Sequence, residues 1–368
     1  MGNTLANFSF FVVWGKTGSK ENRTVAKKKG LLLINLGTPE SYEPRDVGRY
    51  LREFLMDPFV IDIPKPLRWF LVNVLIVPKR SHDSGKLYKK VWTNEGSPLL
   101  VHTQALGKKV RERLRENYEV EFSMRYGKPG IEKAILNFKA KGIKEVRVLP
   151  LYPQYSLAAT ESSIAKTKAL FEELFSEAKV EYIPHFYEME CYLNAVAEVT
   201  RKNMENKPWD FVLFSFHGLP ERQVKKTDLT GQHCLKTKDC CSKIVEANRN
   251  CYRAQSYATA RALADKLGLK DNQWEVGFQS RLKGAPWIQP FSDEFYRELP
   301  KRGFKKLLVV SPSFVADCLE TLEEVQMRGR EEFVENGGKD LYLVPSLNSE
   351  GSWVEAVCQI VQNYQPST

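Results

Sequence analysis

Three groups of residues in this chain have the types and spacing to do chemistry. The first is a histidine. In FVLFSFHGLPER, residues 211–222, His217 follows six residues of which five are apolar, and Gly218 and Pro220 come directly after it. Such a run reads as a buried strand closed by a turn, so His217 is either a packing residue or the working end of a site. The second group is acidic. In FVADCLETLEEV, residues 314–325, Asp317, Glu320 and Glu324 stand at i, i+3 and i+7, the spacing of one helical face. Carboxylates that close repel one another, and burial raises their pKa values. The arrangement suits a path for protons or cations; the plainer reading is a solvated acidic start to a helix. The third group is sulfur. Cys234, Cys240, Cys241 and Cys251 fall within HCLKTKDCCSKIVEANRNC with the spacing C-x5-C-C-x9-C. Four thiols so close suggest a metal centre, although the C-x2-C pairs of ordinary zinc sites are missing.

These residues need a frame to bring them together. Short β-rich runs at 30–35, 119–124, 145–150, 179–183, 211–216, 274–279, 306–311 and 341–345 alternate with amphipathic stretches such as PGIEKAILNFKAK and CYRAQSYATARALADKLG. Near-continuous apolar strands alternating with helices imply parallel sheets covered on both faces, an α/β class. The first and fifth runs enter similar turns, LINLGTPE at 33–40 and FSFHGLPE at 214–221. The third and seventh match in kind as well, so the chain reads as a duplicated unit. The join falls around 184–208, and the last helix, 351–364, packs back on the first half. Ligands of open parallel sheets bind beyond the carboxyl ends of strands. Asn35, Tyr152, His217 and Phe314 all lie at such ends and are expected to share one cleft.

Bulk properties narrow the function. The 368 residues suffice for two domains, and 42% apolar with 27% charged residues is ordinary for a globular protein. The net charge is +10. Residues 1–29 hold six Lys/Arg and one Glu, which supplies +5. The rest is only mildly basic, which argues against a nucleic-acid partner. No apolar run reaches the length of a membrane span. The head lacks a secretory pattern, and Ala6 replaces the Ser/Thr of a myristoylation signal. It is expected to be a flexible extension or an over-long start. Seven cysteines, four of them clustered, suit a reducing cytoplasm.

The motifs INLGTPE, YLREFLMDP, GSPL, PLYPQYS, FSFHGLPER, CYRAQSYATARALA, FQSRLKGAPWIQP and FVADCLETLEE, in that order, resemble the ferrochelatases, which insert ferrous iron into a porphyrin to make haem. The resemblance runs from about Gly30 onward. It implies two similar Rossmann-like domains, each a four-stranded parallel sheet flanked by helices, around a porphyrin cleft. The expected division is 30–184 and 185–350, with a cysteine-bearing insertion at 228–251. By the same resemblance His217 is the catalytic histidine, as proton acceptor or iron ligand, and Glu320 its acidic partner toward the Fe²⁺ substrate. Asp317 and Glu324 continue from that site. Leu36, Tyr152, Trp287 and Phe314 line the macrocycle, Arg80, Tyr88 and Ser97 lie near its propionates, and Arg125 with Tyr126 sits deep in the cleft. Two pyrrole protons must leave as the metal enters, so a base poised near neutral pH is required, and imidazole fits. The segment PLRWFLVNVLIVPKR, 66–80, is either a core helix or an apolar lip resting on the membrane that supplies the ring. The four cysteines resemble the internal set of bacterial ferrochelatases that bind a 2Fe–2S cluster, with zinc or free thiols as alternatives. Cys191, Cys318 and Cys358 are expected to be buried and inert. The expected activity is Fe²⁺ insertion into protoporphyrin IX, in the cytoplasm or at the inner membrane face, by a monomer or homodimer. A coproporphyrin ferrochelatase or other tetrapyrrole metal chelatase and a non-catalytic porphyrin carrier are the rivals.

Overall fold

The computed structural model describes residue 2 and residues 28–281 and 284–365. The head expected to be flexible therefore lies almost wholly outside the described residues, and Lys29 already belongs to the first strand. Among the described residues eight strands form two sheets: β1 (Lys29–Gly37), β2 (Tyr118–Tyr126), β3 (Glu145–Pro150), β4 (Lys179–Tyr182), then β5 (Phe211–His217), β6 (Trp274–Gln279), β7 (Lys306–Val310) and β8 (Asp340–Leu343). The orders are β2-β1-β3-β4 and β6-β5-β7-β8, and every pairing is parallel. One topology therefore occurs twice.

The central strands are apolar because both their faces are covered. In β1, Leu31 and Leu33 face one core while Leu32 and Ile34 face another, and all four are fully buried. In β5, Val212, Phe214 and Phe216 face the first of those cores, and Phe211 and Leu213 a third. One core thus reaches both sheets. The helix Gly351–Asn363 contributes Trp353, Val357 and Val361 to it, with the Trp353 ring against Phe186 and Tyr192. Contacts with the first half pin this helix: Arg113 Nη2 donates to Glu355 at 2.6 Å, Tyr364 Oη donates to the Tyr182 carbonyl at 2.9 Å, and Arg147 donates to the Val361 carbonyl.

The duplication extends to the turns. Gly37 has φ +115°, and a Cβ there would lie 1.8 Å from the carbonyl oxygen of Tyr126, the last residue of β2. At Gly218 a Cβ would lie 2.6 Å from the carbonyl oxygen of Gln279, the last residue of β6. Each central strand thus ends against its neighbour's last carbonyl at a point where only hydrogen fits. Leu36 and His217 are the residues immediately before these glycines.

Among the described residues three segments wind as π-helix: Leu71–Ile76, Leu157–Glu161 and Glu320–Gly329. The last corrects the acidic-face expectation. Asp317 precedes the helix, which begins at Glu320 with i→i+5 turns, so the three carboxylates do not share an α-helical face.

Candidate active site

β5 delivers His217 at its carboxyl end, where the chain turns away and the side chain is half-buried. Its backbone N–H donates to Ser313 Oγ at 3.2 Å, joining the ends of β5 and β7. The Phe314 ring meets the imidazole edge-on, 6.1 Å between centroids. His217 Nδ1 is shielded from solvent and has no hydrogen-bond partner. Burial lowers the imidazole pKa, and the Glu320 carboxylate opposes that shift. A neutral ring with an unused nitrogen is thereby held beside an acid.

Glu320 opens the π-helix, and two networks place it. Gln279 Nε2 donates to the Glu320 carbonyl at 3.1 Å, and Gln279 Oε1 accepts from Ser215 Oγ at 2.7 Å. Glu323 is fully buried and paired with Lys90 at 3.4 Å and Arg328 at 2.7 Å, which ties the helix to Val77–Val91 of the first half. The Glu320 charge reaches across to that half as well. Tyr88 and Tyr50 have pKa values raised well above normal, by burial first and also by Glu320, so their phenols stay protonated. Histidine from one half and tyrosines from the other therefore share the field of one carboxylate.

The other two acids differ. Glu324 accepts from Ser280 N–H at 2.8 Å and Ser280 Oγ at 2.5 Å, and burial raises its pKa, Glu320 adding to the rise against Ser280 and Arg328. Ser280 adopts φ +65° to make both bonds, a conformation a non-glycine residue holds only when its surroundings enforce it. Asp317 is committed elsewhere: Oδ1 accepts from Ser346 N–H at 3.1 Å and Thr321 Oγ1 at 3.2 Å, and Oδ2 from Asn348 Nδ2 at 2.8 Å.

In the first half, Arg125 donates to Asp57 and, at 2.8 Å, to Ser162 Oγ, its guanidinium 4.3 Å from the centre of the Tyr126 ring. Tyr126 Oη and Ser162 Oγ donate to the same Asp57 oxygen at 2.8 and 2.6 Å. Asp57 is thus the hub of the pair expected deep in the cleft. Tyr152 is buried near Arg125, its hydroxyl 3.4 Å from Ser163 Oγ. Leu36 is half-buried, and Ser97 Oγ accepts from Thr38 Oγ1 at 2.8 Å. Arg80 is exposed on Val77–Val91, the helix that also carries Tyr88. Trp287, half-buried, bridges to Pro220, and its ring packs against Gly218 in the turn after His217.

The segment 66–80 is not a core helix. Leu67, Trp69, Phe70, Val74 and Leu75 are between 46% and 57% exposed. Arg68 is buried and donates to the Ile61 and Ile63 carbonyls at 2.9 and 3.2 Å. Among the described residues no helix is long and apolar enough to cross a membrane.

Cys234, Cys240, Cys241 and Cys251 are buried, and none of them is in a disulfide. The Cys240 and Cys241 sulfurs are 3.8 Å apart, and Arg253 Nη1 donates to Cys241 Sγ at 3.1 Å. Cys251 makes the neighbouring Cys234 easier to ionise, while its own thiol is pushed up to about 12. Asp228 anchors the loop by accepting the His233 and Cys234 N–H groups, both at 2.7 Å. Among the described residues no group of three or more His, Cys, Asp or Glu side chains is gathered for a single metal ion. Of the isolated cysteines, Cys318 and Cys358 are buried and Cys191 is half-buried.

Two four-stranded parallel sheets flanked by helices are the architecture of the chelatase fold. SirB from Bacillus subtilis with Fe3+ shares it, with a TM-score of 0.53 and 13% identity over 91% of this chain and 94% of that one. Sequence relatives are nearer. The ferrochelatase of Bdellovibrio bacteriovorus is 43% identical, covering 91% of this chain and 99% of its own length. That of Coxiella burnetii is 44% identical over 91% and 93%, and that of Stutzerimonas stutzeri 44% identical over 90% and 97%. The family model "Ferrochelatase" matches residues 28–365. The chain belongs to the ferrochelatase family.

Proposed function

We infer that this protein inserts Fe²⁺ into a porphyrin as a haem-synthesis ferrochelatase, with protoporphyrin IX as the ring. The reaction exchanges two pyrrole protons for one divalent ion. The observation that carries the assignment of roles is the shielded, unpartnered Nδ1 of His217 in the field of Glu320. A neutral imidazole accepts a pyrrole proton, and the adjacent carboxylate stabilises the imidazolium that forms. Glu320 also offers the incoming iron an oxygen ligand, and Glu324, with its raised pKa, can take up a proton passed along the helix. Phe314, Trp287, Leu36 and Tyr152 supply apolar walls for a flat ring. Arg80, Tyr88 and Ser97 supply cationic and hydroxyl contacts for propionates. Asp57 holds Arg125 and Tyr126 in place.

The four cysteines are read as ligands of a 2Fe–2S cluster. Four buried sulfurs on a braced loop, one with an arginine donor, are a donor set that fits thiolate ligation. Such a group supplies one-electron chemistry, which metal insertion does not use, so its role is structural or sensory. The exposed apolar lip is read as a docking face for the membrane that dissolves the substrate.

The test is anaerobic incubation with Fe²⁺ and protoporphyrin IX, coproporphyrin III run in parallel, followed at the Soret band. His217→Ala should lower turnover by about 10²-fold or more while the ring still binds. Full turnover by the variant would remove His217 from the chemistry.

A further inference from the structure

The base of the apolar lip is fastened to the chain that follows His217, and the chemistry derived above makes no use of that fastening. Four residues after His217 begins the short helix Glu221–Lys225. The segment that carries Trp287 braces its start: Glu221 N–H donates to the Pro286 carbonyl and Ile288 N–H to that of Leu219, both at 3.0 Å. From this helix the buried Gln223 reaches into the first half, its Nε2 donating to the Phe59 and Val60 carbonyls, each at 3.3 Å. Arg222 and Lys226, both exposed, pair with the half-buried carboxylate of Asp62.

Asp62 stands between two anchors. Upstream, Asp57 Oδ1 accepts from Phe59 N–H at 2.7 Å, and the Asp57 carbonyl accepts from Val60 and Ile61 N–H at 3.1 and 3.0 Å. Residues 57–61 are thus wound onto the carboxylate that also holds Arg125. Downstream, the Arg68 bonds to Ile61 and Ile63 tie the lip helix Lys65–Phe70 to the same segment. That helix runs on through Leu71–Ile76 into Val77–Val91, which carries Arg80 and Tyr88. A shift at Asp62 is therefore a shift of the lip and of the propionate contacts beyond it.

We propose that Asp62 is a positioning residue that registers the apolar lip against the His217 turn through Arg222 and Lys226, and so sets porphyrin affinity. It rests on the reading of these elements as porphyrin contacts. The Gln223 stitch is weak by itself, because both of its bonds are long. The two ion pairs supply the rest of the hold, a modest one since solvent screens the cations. A lip already held in register spares the ring the cost of ordering it on binding. Asp62 touches no reacting atom, so its effect falls on binding rather than on the chemical step.

The test uses the full chain and protoporphyrin IX in non-ionic detergent. Tryptophan quenching reads the porphyrin Kd, the Soret band reads turnover with Fe²⁺, and hydrogen–deuterium exchange reads the lip. Asp62→Asn should raise the porphyrin Kd and KM about three- to tenfold, the loss of two screened ion pairs, with kcat within about twofold. Exchange should quicken in 57–77 and nowhere else. Raising NaCl from about 0.05 to 0.5 M should bring the wild type toward the variant. Asp62→Glu should restore wild-type values. Arg222→Ala with Lys226→Ala should match Asp62→Asn, and the triple variant should be no worse. Should Asp62→Asn lower the unfolding midpoint, the two-cation variant, altered only at exposed side chains, carries the same comparison. Unchanged porphyrin binding, unchanged exchange in the lip, losses that add in the triple variant, or a fall in kcat at constant KM each overturn the proposal. A wild type that binds no porphyrin defeats the porphyrin reading instead, and the exchange data then decide the fastening on their own.

Discussion

Asp317 and Asn348 hold each other through two opposed hydrogen bonds. The Asp317 N–H donates to Asn348 Oδ1 at 2.9 Å, and Asn348 Nδ2 returns a bond to Asp317 Oδ2 at 2.8 Å. Asn348 sits at φ +51° to do so, a conformation asparagine tolerates better than most. Asp317→Ala strands the Ser346 N–H and the Asn348 amide, and should cost about 2–4 kcal/mol in denaturant unfolding. Glu320→Gln should instead leave the unfolding midpoint near wild type and slow turnover. An Asp317→Ala protein of full stability and no activity would return Asp317 to the proton path.

Burial holds the His217 pKa below its ordinary 6.5. The acidic limb of kcat/KM should therefore fall below that value, because the neutral ring is the active form. The unfolded chain binds this proton at the ordinary pKa and the folded chain only at lower pH. Between the two the unfolded state holds more protons, so stability declines as pH drops through that window and levels off beneath it. Glu320→Gln removes the charge that lifts the His217 pKa, so it should move the limb to lower pH still. A limb at or above 6.5 in the wild type would contradict a buried neutral base.

Glu323 is fully buried between two cations that are themselves 53% and 54% exposed, Lys90 and Arg328. Either cation alone should be replaceable by Ala for about 0–1 kcal/mol, since solvent screens it and its partner remains. Replacing both leaves a buried carboxylate unpaired and should cost about 3–5 kcal/mol, well beyond the sum. Guanidinium melts of the two single variants and the double variant measure the excess.

Trp69 and Leu75 project from the lip with 56% of their surface exposed. Each such side chain contributes about 1.5–3 kcal/mol when it leaves water. Trp69→Glu with Leu75→Glu should therefore reduce co-sedimentation with anionic lipid vesicles at least about tenfold, with an unchanged melting temperature. Equal sedimentation of variant and wild type would leave the lip without a membrane role.

The strands were readable because burial on both faces leaves few residue types for them: all eight runs fall where strands form, and only their ends move by a residue or two. His217 was readable for a related reason, since a polar residue closing such a run has to be accommodated by a turn. The π-winding at Glu320 was not. A spacing of i, i+3 and i+7 presumes an α-helix, and no local signal distinguishes the wider turn. Asp57, Gln279 and Glu323 escaped notice because each is an ordinary polar residue until long-range packing supplies its partners. Asp57 gathers donors from positions 125, 126 and 162, and Gln279 joins Ser215 to the Glu320 carbonyl. The glycine turns echo one another in the sequence, but that both abut a neighbour's last carbonyl depends on strand pairing far along the chain.

Those twin turns leave the ends of the two central strands chemically unlike. The same scaffold is laid down twice, yet one copy terminates in hydrocarbon at Leu36 and the other in imidazole at His217. Anything resting between the two copies meets a base from one side only. A repeated frame has become directional at the residue that precedes each glycine.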